Sequence, residues 1–253
     1  MHEGGDLQVL CADFHIHTCL SPCASLDMSP VKIVRQARGR HLKAIAITDH
    51  NSVENAPAVM AAARDAGLVV IPGIEVTTEE EAHIVGLFDE IEAALSMQDL
   101  VYEHLLQGEN DEDLFGIQVV ANEWDEVRYI NRRLLIGATR LPLEEVISGI
   151  HDRGGLAVAA HIDRDAFSVT SQLGFIPQGL NLDALEVSRR MSIKEARERF
   201  REYSIFPFIT ASDAHDLEEI GMSPVRLYVK RPTMGEIKKA FACQGGRRVC
   251  QER

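Results

Sequence analysis

Six times in this chain a short apolar run stops on a residue able to bind a metal ion or move a proton. Residues 9–14 run into His15 and His17, 44–47 into Asp49 and His50, and 69–74 into Glu75. Residues 156–160 run into His161, 184–187 surround Glu186, and 208–211 run into Asp213 and His215. Apolar runs of this length, bounded by turn residues and alternating with helix-like segments, read as buried parallel strands. Strands of that kind close into an α/β barrel, and a barrel gathers its C-terminal strand ends on one face. Residues distant in sequence then meet in one pocket, so the pattern predicts a metalloenzyme.

A chain of 253 residues suits a single domain over 1–253, and a hydrophobic fraction of 45% is enough to fill its core. The net charge of −13 predicts that no stable nucleic-acid complex forms, because counterion release needs clustered Lys and Arg. A small phosphorylated substrate stays compatible with that charge, since bound metal ions supply local positive charge. No apolar segment is long enough to span a bilayer, and the N-terminal MHEGGDLQVLCADFHIHT has no signal-peptide layout. The expectation is a cytoplasmic protein with no membrane partner. Cys11, Cys19, Cys23, Cys243 and Cys250 form an odd set without a disulfide-framework pattern and are expected to be free thiols.

Ser29 followed by Pro30 predicts a helix start, with Ser as N-cap, running to about residue 40. Further helices are expected over 54–66, 90–106, 143–153, 193–203 and 234–242. Residues 82–88 look like a fourth strand, although His83 stands at the start of the run rather than its end. From 107 to 140 the pattern weakens: QGENDEDLFG breaks regular structure, and Trp124 follows it. This stretch is expected to be an inserted cap over one rim of the barrel mouth.

His15-Ile16-His17 places two imidazoles at i and i+2 of an extended segment, so both face one ion. Asp13 shares that parity, as a ligand or as a partner orienting an imidazole. Asp49 and His50 end the second strand, although Asp, His and Asn also suit turns and caps. Glu75 is a carboxylate deep at a barrel mouth, costly there unless it meets a cation or a donor. His83 taken alone reads equally as a hydrogen-bonded core histidine, whereas His161 ends a fully apolar run. Asp213 and His215 repeat the i, i+2 relation. Glu186 is open between metal contact and loop anchoring, and His2, His41, His104 and His151 are given no role.

Asp13-Phe14-His15-Ile16-His17-Thr18, Ile47-Thr48-Asp49-His50, Pro72-Gly73-Ile74-Glu75, His83, Ala160-His161 and Ser212-Asp213-Ala214-His215 resemble, in order and type, the motifs of the PHP family. These are the polymerase and histidinol phosphatase domain proteins. The resemblance covers about residues 11–230 and implies a distorted (β/α)7 barrel holding two or three divalent ions, zinc, manganese or iron. It implies that His15, His17, Glu75 and Asp213 hold the first ion, and that Glu75 bridges to a second completed by His83 and His161. His50 and His215 would hold a third. Relatives complete that third site with a His or Asp after the H-x-H, where this chain reads TCLSPCAS. Cys23 is the nearest substitute, with a structural thiol as the alternative; a thiolate there would favour zinc or iron.

The implied activity is a metal-dependent phosphoesterase attacking a small phosphate ester with a metal-bound hydroxide, the substrate being a nucleotide, a nucleoside bisphosphate or a sugar or amino-alcohol phosphate. Arg164, Arg189 and Arg190 follow strand ends and are candidates to bind the phosphate, Arg164 also to assist catalysis; incidental surface ion pairs are the alternative. Asp49 or His215 would protonate the leaving group. Two other functions fit less well. An amidohydrolase acting on C–N bonds or lactones would want a bridging strand-end lysine, which is missing. A non-catalytic metal-binding module would be expected to have lost ligands.

Overall fold

The computed structural model describes residues 6–250, so His2 lies outside the described residues. The strands are β1 (Gln8–Ile16), β2 (Ala44–Ile47), β3 (Val69–Thr77), β4 (His83–Leu87), β5 (Val119–Ala121) and β6 (Val127–Ile130). They continue as β7 (Leu156–Ala159), β8 (Ala184–Val187), β9 (Phe208–Thr210), β10 (Val225–Val229) and β11 (Arg248–Val249). All but β5 and β6 form one sheet in the order β11-β10-β1-β2-β3-β4-β7-β8-β9. The end of β1 then reaches the segment after β9: His17 N donates to Ala214 O at 3.0 Å and Ala214 N to His15 O at 3.2 Å. Seven strands, β1 to β4 and β7 to β9, thus curl into a nearly closed barrel of the expected distorted kind.

The distortion is β4, which runs antiparallel to both β3 and β7 while the other neighbouring pairs of the seven are parallel. A reversed strand brings its first residue, not its last, to the rim where the others end. His83 opens β4, opposite Thr77 at the end of β3, and so joins the same rim.

The two-residue period of the strands separates two cores. Ala12, Phe14, Ala44, Ala46, Ile71, Val85, Val158, Ala184 and Ile209 fill the barrel interior. Their neighbours Ile45, Ile47, Ile74, Val76, Ile84, Ala157, Leu185 and Phe208 pack outward against α1 (Pro30–Gly39), α2 (Ala56–Ala62) and the helices α3 (Ile91–His104) and α5 (Leu143–Asp152). Ser29 holds the N-cap position of α1 by its extended backbone rather than by a side-chain hydrogen bond, Pro30 having fixed the first helical φ.

Residues 107–140 form the short helix α4 (Glu112–Phe115) and the β5–β6 hairpin. The segment is tied to the loops after β1 and β2: Val119 N donates to Cys19 O, and Asn51 Nδ2 to Leu135 O and Gly137 O. Only Ile136 of this segment lines the cavity at the barrel mouth. Three further helices complete the chain: α6 (Val169–Leu173), α7 (Ile193–Arg199) and α8 (Met234–Phe241). Five-residue α6 was not expected from sequence, because one turn and a half is too short to show a period.

Gly73, in β3 two residues before Glu75, sits where the backbones of β2 and β4 close in. A Cβ there would lie 2.8 Å from Gly86 O and 2.8 Å from Thr48 Cγ2. Gly73→Ala should therefore cost about 1–3 kcal/mol and lower the melting temperature by at least about 2 °C. An unchanged melting curve would contradict this packing.

Candidate metal centre

The inward parity of β1 breaks just before the site. Ala12 and Phe14 point into the barrel, whereas Ile16 belongs to the outer core, and the β1–β2 register shifts between Asp13 and Ile16. This irregularity turns His15 and His17 inward together, as bulges do next to active sites. Asp13 consequently loses the parity the sequence assigned to it. Its carboxylate instead receives Ser212 N at 3.0 Å and Gly221 N at 2.8 Å, holding the segment that carries Asp213. Glu75 keeps the inward parity of Ile71. His161 and Asp213 are aimed by left-handed backbone, φ 31° and 49°, a strained conformation for residues with a side chain.

Around Glu75 the donor atoms converge. His15 Nε2 lies 3.2 Å from Glu75 Oε1, His17 Nε2 3.4 Å from Oε2, and His17 Nε2 3.1 Å from Asp213 Oδ1. His15 Nε2 and His17 Nε2 are 3.2 Å apart. Metal–nitrogen bonds of about 2.0–2.1 Å put neighbouring ligands of a tetrahedral ion about 3.4 Å apart, so these spacings suit one shared ion. Around the other side of the carboxylate, His83 Nδ1 lies 2.9 Å from Oε1, His50 Nδ1 3.0 Å from Oε2 and His161 Nε2 3.3 Å from Oε1. Three groups of donors come within 4.8 Å of one another: His15, His17, Glu75 and Asp213; His50, Glu75 and His83; and His17, His50 and His215.

Hydrogen bonds on the far sides of the rings fix where the lone pairs point. Ser21 Oγ donates to Asp49 Oδ1 at 2.7 Å and so accepts from His17 Nδ1 at 3.0 Å. His15 Nδ1 donates to Glu186 Oε2 at 2.9 Å. Both Nε2 atoms are thereby left as acceptors facing carboxylate oxygens. Glu75 Oε1 and Oε2, His50 Nδ1 and His83 Nδ1 are buried without any hydrogen-bond partner. Each such orphan costs about 1–3 kcal/mol, and acceptors facing acceptors repel unless a cation stands between them. The donor set fits divalent ions.

Electrostatics agree. Burial alone would raise the Glu75 carboxyl, but His83, His15 and His50 around it hold it well below the usual range. Burial lowers His83 to about 4, against the pull of Glu75, and lowers His17 well below its ordinary value, with His215 and His50 adding to the effect. Both rings are neutral at neutral pH. Burial would lower His15 too, but Glu186, Glu75 and Asp213 raise it well above its ordinary value. The surplus of negative charge thus favours a cation at His15, whether proton or metal ion.

The other sequence candidates separate. Asp49 is fully buried and accepts from Thr18 N, Thr18 Oγ1 and Ser21 Oγ at 2.7–2.8 Å. It is absent from the cavity lining, so its geometry is that of a group orienting His17 through Ser21 rather than of a proton donor to substrate. Cys23 lies at the mouth beside His50 and His215; desolvation would raise its thiol, but the two rings bring it down to about 6. Arg164 Nη1 pairs with Asp213 Oδ2 at 2.6 Å, leaving Oδ1 toward His17, and Arg189 pairs with Glu219 at 2.6 Å. For Arg190, exposed at the rim, no carboxylate partner is found among the described residues. Asp163 accepts from Ser188 N and Oγ, both at 2.7 Å, tying the loops that carry Arg164 and Arg190 together. All three arginines line an open cavity of about 620 Å³ whose floor is Glu75, His83 and His161. Glu186 as an orienting partner was half legible from its strand-end position, and Asp163 from its place beside His161 and Arg164; Ser21 carried no distinguishing signal.

A barrel mouth with convergent imidazoles and carboxylates under an open cleft defines the class, a metal-dependent hydrolase. Residues 13–202 match the PHP domain family, and the chain belongs to that family. Over 84 residues it is 36% identical to the PolC-type DNA polymerase III of Streptococcus pneumoniae, 33% of this chain but 6% of that protein. The chain therefore spans only a small part of the length of the curated relatives it matches. It superposes on endonuclease Q of Pyrococcus furiosus, a lesion-specific endonuclease, with a TM-score of 0.72 at 18% identity, covering 96% of this chain and 58% of that one. A complex of endonuclease Q with a 27-mer duplex carrying an abasic lesion at the active site gives a TM-score of 0.70. A protein assigned as a metal-dependent phosphoesterase from Bifidobacterium adolescentis gives 0.55 at 20% identity, over 81% of this chain and 87% of that one.

These comparisons overturn one expectation. Net charge argued against a nucleic-acid complex, and the family motifs implied a small phosphorylated substrate, yet endonuclease Q, of the same fold, holds duplex DNA at its active site. Net charge is a whole-chain sum. Glu109, Asp111, Glu112 and Asp113 of the 107–140 segment are exposed and contribute to it, whereas the cleft sets Arg164, Arg189 and Arg190 beside Asp163 and Asp165. Among the described residues no helix is long and apolar enough to cross a membrane.

Glu186→Gln should keep the shape of its side chain while no longer fixing the His15 tautomer as a carboxylate does. Metal affinity, measured by competition with a chelator, is expected to fall about 10–100-fold with the fold intact. Unchanged affinity would remove Glu186 from the site.

Proposed function

We propose that this chain is a metal-dependent phosphodiesterase that cleaves the backbone of DNA. The observation that carries the reading is an arginine-rimmed cleft with Glu75-centred donor groups at its floor, in a chain that follows endonuclease Q over 96% of its length. His15, His17, Glu75 and Asp213 would hold one ion. Glu75, His83 and His161 would hold a second, with His50 close to both. His50 and His215 with Cys23 would hold a third. Imidazoles and carboxylates suit zinc, manganese or iron, and the Cys23 thiolate inclines the third position to zinc or iron. When bound, divalent ions here supply Lewis acidity, activating water and neutralising charge that develops on the phosphoryl oxygens.

The chain's own residues divide the remaining work. Glu75, whose Oε1 faces His15, His83 and His161 and whose Oε2 faces His17 and His50, sets the spacing of the donor groups. Glu186 and the Asp49–Ser21 pair keep the Nε2 lone pairs of His15 and His17 turned to the centre. Arg164 holds Asp213 in place through Oδ2. Arg190 is free to take a phosphate of the DNA backbone in the two-pronged way guanidinium allows. His215 lines the cleft and donates Nδ1–H to Asp213 O at 2.9 Å, which leaves its Nε2 as the proton-handling or ligating atom. Those two roles exclude each other, since both use the same lone pair.

Single-stranded and duplex oligonucleotides, with and without an abasic site, provide the test when incubated with Mn²⁺, Zn²⁺ or Fe²⁺ and resolved on denaturing gels. The wild-type chain should cut at least one of them, and Glu75→Gln should lose at least about a hundredfold in rate. Arg190→Ala should raise KM more than it lowers kcat, as expected for loss of uniform phosphate binding. No cleavage of any oligonucleotide with any of the three metals would sink the reading.

A further inference from the structure

Phe167 is out of place for a core residue. It is 46% exposed and belongs to none of the hydrophobic clusters of the barrel. Its backbone is left-handed, φ 56°, a conformation that glycine or asparagine adopts with far less strain. The main-chain task at this position, accepting His83 N on its carbonyl at 2.9 Å, requires no particular side chain. Phe167 also precedes Ser168, the N-cap of α6, where an apolar residue often packs on the fourth helical residue. That residue is Gln172, so no such staple forms. Local structure accounts for neither the bulk nor the ring.

The ring does have one partner. It lies face to face with His83, centroids 4.9 Å apart and planes 17° from parallel, and His83 in turn faces Glu75 at the floor of the cleft. Imidazoles aside, Phe167 is the only aromatic ring among the described residues lining that cavity. A flat apolar surface thus stands one imidazole away from the carboxylate centre, in a wall otherwise made of Asp163, Arg164, Asp165 and the remaining rim. In a nucleotide the base lies one sugar away from the phosphate.

We propose that Phe167 is the platform on which the cleft stacks a nucleobase next to the phosphate being cleaved, making it a specificity-determining residue for the proposed reaction. The inference rests on the phosphodiesterase reading above and adds to it a base-binding position. Stacking on an aromatic ring is tolerant of sequence because every base has a π-face. Phe167 would therefore favour nucleotide-bearing substrates over other phosphate esters without selecting one base. Arg190, on the opposite loop, would take the backbone phosphate while the ring takes the base.

The test is a single-stranded oligonucleotide carrying 2-aminopurine, with phosphorothioate links to slow cleavage, titrated against the metal-loaded chain. Wild-type protein and Phe167→Trp should quench the 2-aminopurine fluorescence on binding. Phe167→Ala should abolish the quenching and weaken binding about tenfold or more. Phe167→Leu, which keeps the bulk without the plane, should behave as Phe167→Ala does. Metal content should be the same in all four proteins. Quenching and affinity unchanged in Phe167→Ala would overturn the proposal, and so would full rescue by Leu. Loss of metal from Phe167→Ala in step with binding would overturn it in favour of a prop for His83. A wild-type chain that cuts oligonucleotides indifferently to Phe167 leaves the phosphodiesterase reading standing, whereas one that neither binds nor cuts them removes both.

Discussion

A single carboxylate sets the terms for this barrel. Glu75 is buried at 1% exposure with neither oxygen hydrogen-bonded, and His15, His17, His50, His83 and His161 all approach it within 3.4 Å. Burying an unpaired carboxylate in an apolar interior is too costly to occur without compensation. The compensation here is a shell of rings from four strand ends plus the cations those rings and carboxylates can share. The barrel is what makes this shell possible, because only convergent strand ends place residues 15, 50, 75, 83 and 161 around one point.

Several features otherwise hard to account for follow from holding that shell. The β1 irregularity turns two imidazoles inward, where a regular strand with Phe14 inside would send both of them outward. Left-handed backbone at His161 re-aims a side chain that strand parity would direct outward, and Asp213 carries the same strained conformation. Glu186, Ser21 with Asp49, and Arg164 each grip the far side of a donor residue, so orientation is fixed by groups that never face the centre. Strain concentrated this way is a common property of functional sites and depends on surrounding structure that over-determines it. The geometry therefore reads as preorganised around cations rather than as a polar core that happens to be crowded.

Much of this was legible in the sequence, because apolar runs that end on ligands report both the strand and its direction of convergence. His83 shows the limit of that rule: it opens its strand, and only the reversal of β4 brings it to the common rim. Asp13 shows another, since an irregularity of one residue inverts a parity argument that is sound for a regular strand. Asp49 looked like a proton donor because motif position does not reveal that three donors already occupy its oxygens. The arginines were legible as a group, but which is paired and which is open depends on Asp213 and Glu219, far away in sequence. The charge argument against nucleic acid failed for a similar reason, as a sum over the chain says nothing about the rim of one cleft.

Glu75 is proposed to join at least two divalent ions within one cluster. Crystals of the chain purified without chelator, with anomalous diffraction measured at the absorption edges of zinc, iron and manganese, test it directly. Two or more anomalous peaks are expected in the barrel mouth, with at least two of them bonded to Glu75 oxygens at about 2.0–2.2 Å. A single peak, or peaks that Glu75 does not touch, would contradict it.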